Sequence, residues 1–353
     1  MNGSEREIAE STLMGSNNSL TYPNSVCRTG TKGQKVNLVA CPICCCEDLS
    51  VQYPLHDDRY GCRQAARLML CGACGHKFLN PPLEAKDLET LYTRYYQRDA
   101  IDPADFEPYK LPGKFRGWLE GDFSSAANWV PGDVRVLDIG CGLGANVAFH
   151  ASRGCDAHGV DADANVRVIA EKYNLNVRVG LFDPKNYESG YFDYVTMDQV
   201  FEHVSDPLST LTNVRDVLKS GGCLVISTPN ANGWGRKLFG RRWLNWHVPY
   251  HQQFVSRQSM TLLAEKTGFA VERMVTTTRS AWLIFQIAHL LTYPSMGDAS
   301  VFWAPKKGKL RLHQLVLLKL IMATRLTLVP QLITRLFDYM GHGDNYLVIL
   351  RKE

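Results

Sequence analysis

Short apolar runs alternate with amphipathic stretches through the central part of the chain. The pattern predicts strands over Val134 to Ile139, Ala157 to Val160 and Asn176 to Val179, with a helix over Ala145 to Arg153 between the first two. A strand that is buried on both faces appears as a continuous apolar run, and repeated strand-helix-strand units cover both faces of a parallel sheet. The order repeated through residues 134 to 278 therefore predicts an α/β fold.

Three alternating glycines follow the first strand. Gly140, Gly142 and Gly144 allow a tight turn in which backbone N–H groups approach a ligand. Asp161 ends the second strand, where a carboxylate accepts hydrogen bonds from both hydroxyls of a ribose. The arrangement predicts a nucleoside-cofactor site.

The same turn also satisfies the dinucleotide fingerprint, because Gly140, Gly142 and Ala145 have the required spacing. A nicotinamide-dependent oxidoreductase is therefore one alternative, and a tight strand-helix turn without a ligand is another. Asp138 favours a different ligand, because a carboxylate at the end of the strand repels a pyrophosphate but attracts a cation. S-adenosylmethionine is a cationic nucleoside without phosphate, and it is the predicted cofactor.

Further motifs follow the glycine turn. They are Phe192–Val195, Met197–Val204, Leu218–Gly222 and Leu224–Asn230. With the turn, they resemble the class I S-adenosylmethionine-dependent methyltransferases. The resemblance implies a Rossmann-like sheet of seven strands, with Tyr346 to Leu350 as the reversed last strand.

The resemblance also implies a set of cofactor-binding residues. The set is Asp138, Gly140, Gly142, Gly144, Asp161, Ala162, Asp183, Asp198 and Gln199. Asp138 and the glycines would line the methionine end, Asp161 would hold the ribose, Ala162 would pack on the adenine, and the last two residues would close the pocket. Asp183 fits less well, because Gly180 is followed by Leu181 where such enzymes often carry an acid. A solvated loop acid is the competing interpretation of Asp183.

Two C-x-x-C pairs lie nearer the amino terminus. Cys41 and Cys44 are separated from Cys71 and Cys74 by 26 residues. Four thiolates at this spacing are typical of a structural Zn²⁺ site, and a segment this short has little core without a metal. Unrelated cysteines or a redox pair are the alternatives.

One group of class I methyltransferases resembles this layout of a zinc ribbon, then Asn80-Pro81-Pro82, then the catalytic domain. Its members are often encoded with enzymes of sugar and surface-polysaccharide synthesis. The resemblance therefore implies a small-molecule, sugar or lipid-linked carbohydrate acceptor.

Leucines and aromatic residues recur between the ribbon and the catalytic domain. They are Leu83, Leu88, Leu91, Tyr92, Tyr95, Tyr96, Phe115, Trp118, Leu119, Phe123 and Trp129. Their spacing is close to helical, which predicts helices that cap the cofactor pocket. Core packing is expected for most of them, and contact with the acceptor for one or two.

Methyl transfer often needs a base that removes a proton from the acceptor. His251 is the first candidate, in the aromatic run from Trp243 to His251, and His203 is the second, directly after Glu202. The competing interpretation is that both histidines bond to backbone within packed loops. Ubiquinone-type O-methyltransferases resemble the chain at Glu202-His203 but carry a metal-binding acid where this chain has Gln199, which disfavours a divalent-metal mechanism.

The motif after the fourth strand also bears on the acceptor. Enzymes that methylate amino groups of nucleic acids and of many proteins carry Asn or Asp before Pro-Pro and an aromatic residue there, whereas this chain reads Asp198-Gln199-Val200-Phe201. An oxygen or carbon acceptor is therefore expected.

Composition bears on the expected partners and on the cellular location of the protein. The chain has 353 residues, 45% of them hydrophobic, and a net charge of +4. That charge is small, and no basic-aromatic motif accompanies it, so no nucleic-acid partner is expected. The 11 cysteines and the start without a signal-peptide pattern predict reduced thiols and a cytoplasmic location, with the inner membrane face as a second location.

The segment over 281–340 is longer than a minimal methyltransferase needs. Between residues 301 and 340 it carries seven Lys or Arg residues against one acid, among many leucines. This composition fits helices at an anionic membrane face or a lid over an apolar acceptor. A helical pair packed on the domain, or a dimer contact, fits equally, and the oligomeric state stays open.

The predicted organisation is a mobile tail over 1–36, a zinc ribbon over 37–82, a helical cap over 83–132 and a methyltransferase domain over 133–353 with a helical insertion over 281–340. The leading hypothesis is an enzyme that methylates oxygen or carbon. The competing hypothesis is a non-catalytic binding protein that retains the fold.

Overall fold

The computed structural model describes residues 40–63, 65–83, 91, 95, 102–304, 309–324 and 327–353. Within these residues the strands form two sheets. The strands are β1 (Leu49–His56), β2 (Ala65–Cys71), β3 (Lys77–Asn80), β4 (Arg135–Ile139), β5 (Asp156–Asp161), β6 (Asn176–Val179), β7 (Phe192–Asp198), β8 (Leu218–Pro229), β9 (Gln253–Phe254), β10 (Phe269–Thr277) and β11 (Asn345–Lys352).

The larger sheet has seven strands in the order β10-β11-β8-β7-β4-β5-β6. Strands β8, β7, β4, β5 and β6 run parallel, while β11 is antiparallel to both β8 and β10. The carboxyl ends of β4, β5 and β7 therefore meet at one edge, where the topology of such sheets places ligands. The predicted Rossmann-like sheet with a reversed last strand is confirmed.

Helices cover both faces of this sheet or extend from it. They are α1 (Lys114–Glu120), α2 (Ala145–Ala151), α3 (Val166–Tyr173), α4 (Pro207–Val217), α5 (Trp234–Phe239), α6 (Arg257–Lys266), α7 (Ser280–Leu291), α8 (Leu312–Ala323) and α9 (Val329–Tyr339). Helix α2 packs against β5, α3 against β6, and α4 against β8. Buried side chains from β7, β8 and α4, such as Val195, Ile226 and Leu211, form the centre of the main core.

The smaller sheet joins the cysteine-rich segment to the catalytic domain. Its order is β1-β2-β3-β9, with antiparallel pairing throughout. Strands β1 to β3 come from the predicted ribbon, whereas β9 comes from the segment between α5 and α6, where Lys77 pairs with Phe254 and Phe78 with Gln253. The two parts of the chain therefore share one sheet.

Helices α7, α8 and α9 lie between β10 and β11, at the place predicted for the insertion. Helix α7 packs against α1, α8 and α9. Among the described residues, no helix is both long enough and apolar enough to cross a bilayer.

The predicted cap is only partly described. Leu88, Tyr92 and Tyr96 lie outside the described residues, as does the predicted tail over 1–36. Core packing is wrong for Phe115 and Trp118, which are 73% and 51% exposed. The reason is that α1 presents Gly117, a residue without a side chain, to the rest of the domain.

Candidate functional site

The glycine turn joins β4 to α2 and has the conformation that the sequence predicts. Gly140, Gly142 and Gly144 have φ of 70°, 56° and 90°, a region that residues with a Cβ rarely adopt. The Gly140 N–H donates to the carbonyl oxygen of Val160 at 2.8 Å, so the turn is fixed against the end of β5. The backbone is therefore held close to the place where a ligand would bind.

Asp161 is buried at the end of β5. Its Oδ2 accepts the Gly142 N–H at 2.7 Å, and its Oδ1 accepts the Asp163 N–H at 2.8 Å. These contacts fix the orientation of the carboxylate at the sheet edge where the ribose is predicted to bind.

Asp138 is the second-to-last residue of β4, and its side chain is buried. Thr196 donates its hydroxyl to Oδ1 of Asp138 at 2.6 Å, whereas Oδ2 has no hydrogen-bond partner among the described residues. Burial raises the pKa of the Asp138 carboxyl to about 7. An orphaned buried carboxylate oxygen is stabilised by a cationic ligand, so the residue fits the positively charged end of S-adenosylmethionine.

Asp198 and Gln199 end β7 and differ in what they contact. The Ser125 hydroxyl donates to Oδ2 of Asp198 at 2.5 Å, which ties the predicted cap to the sheet edge. Burial raises the pKa of Asp198. Gln199 has φ of 56°, and its side-chain amide donates to Ser227 and Asn345 in the neighbouring strands. Gln199 thus braces the sheet edge, and its contact with the cofactor stays a prediction.

Ala162 and Asp183 lie beside the same edge. Ala162 is half-buried directly after β5, and its packing against the adenine stays a prediction. Asp183 is exposed, and its side chain accepts the Lys185 N–H at 3.0 Å at the start of a short 3-10 turn. Its role as a ligand stays a prediction.

Tyr109 is a residue of this site that the sequence did not reveal. Its N–H donates to the Ala145 carbonyl at 3.0 Å, and its hydroxyl donates to Asn128 at 2.8 Å. Burial raises the pKa of Tyr109 to about 12, so the hydroxyl stays protonated. No motif surrounds Tyr109; only its place before the glycine-rich strand could have suggested a lid residue.

A second group of polar side chains lies just beyond β7. Glu202, His203 and His251 offer ligand atoms that all lie within 4.8 Å of one another. Nε2 of His251 is 3.9 Å from Oε1 of Glu202, and the two imidazole rings are perpendicular with centroids 4.6 Å apart. The structure thus brings together both predicted histidines, although they come from different loops.

Backbone carbonyls fix the orientation of these rings. Nδ1 of His251 is 2.8 Å from the Asn245 carbonyl, and Nδ1 of His203 is 3.2 Å from the Tyr250 carbonyl. A carbonyl can only accept, so each Nδ1 carries the proton and each Nε2 carries the lone pair when the ring is neutral. Both histidines therefore bond to backbone, as the competing interpretation expects, and the lone pair on Nε2 of His251 can take a proton.

Burial determines the charge of this group. It raises the pKa of Glu202 to about 8 and lowers the pKa of His251 well below its ordinary value. The Thr228 hydroxyl donates to Oε2 of Glu202 at 2.9 Å, whereas Oε1 has no hydrogen-bond partner among the described residues. Three such groups could hold a metal ion or exchange a proton with a bound acceptor.

A family profile described as a methyltransferase domain matches residues 92–273. The chain belongs to this methyltransferase family. The matched region contains the glycine turn, the buried Asp138 and Asp161, and the group formed by Glu202, His203 and His251. The methyl donor of this family is S-adenosylmethionine. The prediction of an S-adenosylmethionine-dependent methyltransferase is thereby confirmed.

Curated relatives of the methyltransferase include two ubiquinone biosynthesis O-methyltransferases. The protein from Ruegeria is 32% identical over 176 residues, which are 46% of this chain and 69% of that protein. The protein from Dinoroseobacter shibae is 33% identical over 147 residues, which are 38% of this chain and 59% of that protein. The chain thus spans between 59% and 69% of the length of these relatives.

Solved structures that are similar to this chain include two other methyltransferases. One is an S-adenosylmethionine-dependent methyltransferase from Archaeoglobus fulgidus, with 19% identity, a TM-score of 0.40, and coverage of 64% of this chain and 89% of that chain. The other is phosphoethanolamine N-methyltransferase 2 from Haemonchus contortus, with 18% identity, a TM-score of 0.45, and coverage of 78% and 61%.

The four predicted zinc ligands of the methyltransferase lie together. The sulfur atoms of Cys41 and Cys74 are 3.6 Å apart, and those of Cys44 and Cys71 are 3.4 Å apart. Tetrahedral zinc with bonds of about 2.3 Å separates its sulfurs by about 3.8 Å, so the thiols fit the metal with a small expansion. Zinc itself stays a prediction.

Proposed function

We propose that the protein transfers the methyl group of S-adenosylmethionine to a hydroxyl oxygen of a small-molecule acceptor, with His251 as the base. The observation that carries the proposal is the group formed by Glu202, His203 and His251, of which Glu202 lies four residues beyond Asp198 along the chain. The names of the similar ubiquinone biosynthesis O-methyltransferases support an oxygen acceptor.

His251 suits the role of base because its ring is neutral and oriented. The bond from Nδ1 to Asn245 leaves the lone pair on Nε2, and burial keeps the pKa of the ring well below its ordinary range. Bound S-adenosylmethionine would supply an electrophilic methyl group to the acceptor oxygen and would leave as the neutral thioether. The hydroxyl proton then passes to Nε2 of His251.

Glu202 supports this proton transfer. Its Oε1 lies 3.9 Å from Nε2 of His251, close enough for the carboxyl to stabilise the imidazolium once it forms. Asp198 raises the pKa of Glu202 further, which places both acids in one electrostatic environment. Burial favours the neutral form of both side chains, because it raises the pKa of Glu202 and lowers that of His251.

His203 is the second candidate for the base. Its ring is half-buried, whereas His251 is buried, and the Tyr250 carbonyl fixes its tautomer in the same way. The greater access of His203 to solvent favours a role in passing the proton from His251 to water.

The acceptor class and the zinc ion are also proposals. A sugar or lipid-linked carbohydrate acceptor is supported only by the layout of the chain, whereas the named relatives belong to ubiquinone biosynthesis. We therefore propose a hydroxylated small molecule and retain the sugar as one member of that class. Zn²⁺ at Cys41, Cys44, Cys71 and Cys74 would stabilise the small sheet.

The test is transfer of an isotope-labelled methyl group from S-adenosylmethionine to a panel of phenols, catechols, sugars and lipid extracts, followed by mass spectrometry. We expect label on an oxygen, a loss of turnover in His251→Ala, and no change in His313→Ala, whose side chain is exposed on α8. Label on nitrogen or carbon, or full turnover by His251→Ala, would contradict the proposal.

A further inference from the structure

Helices α8 and α9 expose an unusual amount of apolar surface. We name as the apolar insert face the exposed residues Leu312, Leu315, Val316, Leu317, Leu320, Leu328, Val329, Leu332, Ile333, Leu336, Tyr339 and Met340. Leu312 is 77% exposed and Tyr339 is 92% exposed. Single exposed apolar residues are normal, but twelve of them on two helices of one insertion indicate a surface that contacts another apolar phase or protein.

Two aromatic residues of α1 extend this surface. Phe115 and Trp118 are exposed, with ring centroids 6.0 Å apart. Helix α1 is fixed to α9, because Arg335 donates to the Trp118 carbonyl at 2.6 Å and Gln331 donates to Glu120 at 3.1 Å. Tryptophan prefers the boundary between apolar and aqueous phases, so α1 forms an aromatic edge to the apolar insert face.

The charge of the insertion indicates which partner this surface fits. Residues 301–337 contain seven Lys or Arg residues and no Asp or Glu. Among them, Lys309, Arg311 and Lys319 are exposed, whereas Arg335 is paired with Asp338 at 2.7 Å. Cations beside exposed leucines and an aromatic edge match an anionic lipid surface.

A second copy of the chain fits less well. A two-fold contact places the same patch of each subunit against its counterpart, so two surfaces of the same net positive charge would meet. Like charges brought together in this way oppose association. The surface therefore favours a lipid partner over self-association.

We infer that α8, α9 and the exposed edge of α1 form a docking surface for an anionic membrane leaflet. The helices lie along the surface, with leucines among the acyl chains and cations at the headgroups. The end of α1 leads through Asp122–Ser124 to Ser125, which contacts Asp198. Docking therefore places the cap of the cofactor site beside the membrane. The inference rests on the exposed residues and stands apart from the proposed acceptor.

The test is sedimentation of the full chain with vesicles of phosphatidylcholine, with and without phosphatidylglycerol. We expect binding only to the anionic vesicles, with a loss of binding at high salt because the charges are screened. Arg311→Glu with Lys319→Glu should weaken binding by more than about tenfold, since each cation near the surface contributes on the order of 1 kcal/mol. Leu320→Ser with Leu332→Ser should weaken it comparably.

Matched controls come from α3, which packs on β6 at the opposite edge of the sheet. Arg167→Glu with Lys172→Glu, and Val168→Ser, alter exposed residues there and should bind like the wild type. Thermal unfolding checks that every variant is folded. Wild-type protein that stays in the supernatant, equal loss in the α3 controls, or a dimer that dissociates in Leu320→Ser would overturn the inference.

Discussion

The imidazole of His76 donates from Nε2 to the side-chain oxygen of Gln253 at 2.8 Å, and both residues are buried. His76 lies just beyond the second cysteine pair, and Gln253 lies two residues beyond the proposed base His251. Gln252 adds two more contacts, since its carbonyl accepts the Leu79 N–H and its side chain accepts the Leu83 N–H. The cysteine-rich segment therefore holds the strand that follows the loop of the proposed base His251.

This connection predicts that zinc affects catalysis as well as folding. Cys74→Ser should lower the zinc content measured by mass spectrometry and reduce kcat/KM on the order of 10²-fold, because a small displacement of a catalytic group is costly. Hydrogen exchange should show β9 losing protection in the same variant. Cys45→Ser, at an exposed cysteine outside the four, is the matched control and should match the wild type. Unchanged protection of β9 in a zinc-free variant would contradict the connection.

The fold was predictable where it depends on local pattern. The apolar runs and glycines located the ends of β4 to β6 to within one residue, because strand burial and turn conformation are encoded locally. The pairing of β3 with β9 was not predictable, because two residues such as Gln253 and Phe254 carry no periodicity of their own. The contact of Ser125 with Asp198 was hidden for the same reason, since nothing in either segment specifies its distant partner.

In the candidate site, too, local pattern predicts some residues, whereas contacts between distant segments could not be predicted. Asp138 and Asp161 could be proposed from the sequence because each lies near the carboxyl end of a predicted strand, beside the glycine turn. The approach of Glu202 to His251 depends on how two loops pack and could not be derived from spacing. Tyr109 was missed because a lone aromatic residue in a loop has no distinguishing pattern.

Asp138→Asn should stabilise the protein while weakening cofactor binding. Burial raises the pKa of Asp138 from 3.8 to about 7, so the folded state holds a proton that the unfolded state releases. The corresponding stability is present below about pH 3.8 and is lost as pH rises to about 7, by a few kcal/mol. Urea unfolding of the variant should therefore show its advantage over the wild type increasing across this range.

The same substitution removes the negative charge that faces the cationic cofactor. Calorimetry should show weaker binding of S-adenosylmethionine by roughly tenfold or more, since a hydrogen bond to a charged group contributes about 1.5–3 kcal/mol. Equal affinity in Asp138→Asn and the wild type would exclude a cofactor role for Asp138.

Asp161→Asn should weaken cofactor binding more than Asp183→Asn does. Asp161 is buried and oriented by Gly142 and Asp163, whereas Asp183 is exposed. Loss of the charged acceptor at the ribose should raise the dissociation constant about 10- to 100-fold. Equal effects of the two substitutions, measured by calorimetry on folded protein, would contradict this assignment.

His251→Ala should lower kcat by about 10² to 10⁴-fold and leave cofactor affinity nearly unchanged, because a general base acts in the chemical step. His203→Ala should cost less, since His203 is proposed only to pass the proton onward. Burial and the nearby charges of His203 and Arg59 hold the pKa of His251 well below the ordinary value of 6.5. The ring therefore stays neutral as pH falls through 6.5, and the wild-type kcat should persist there. A kcat that halves near pH 6.5 in the wild type, with the same profile in His203→Ala, would show that the base has an ordinary pKa and is a different group.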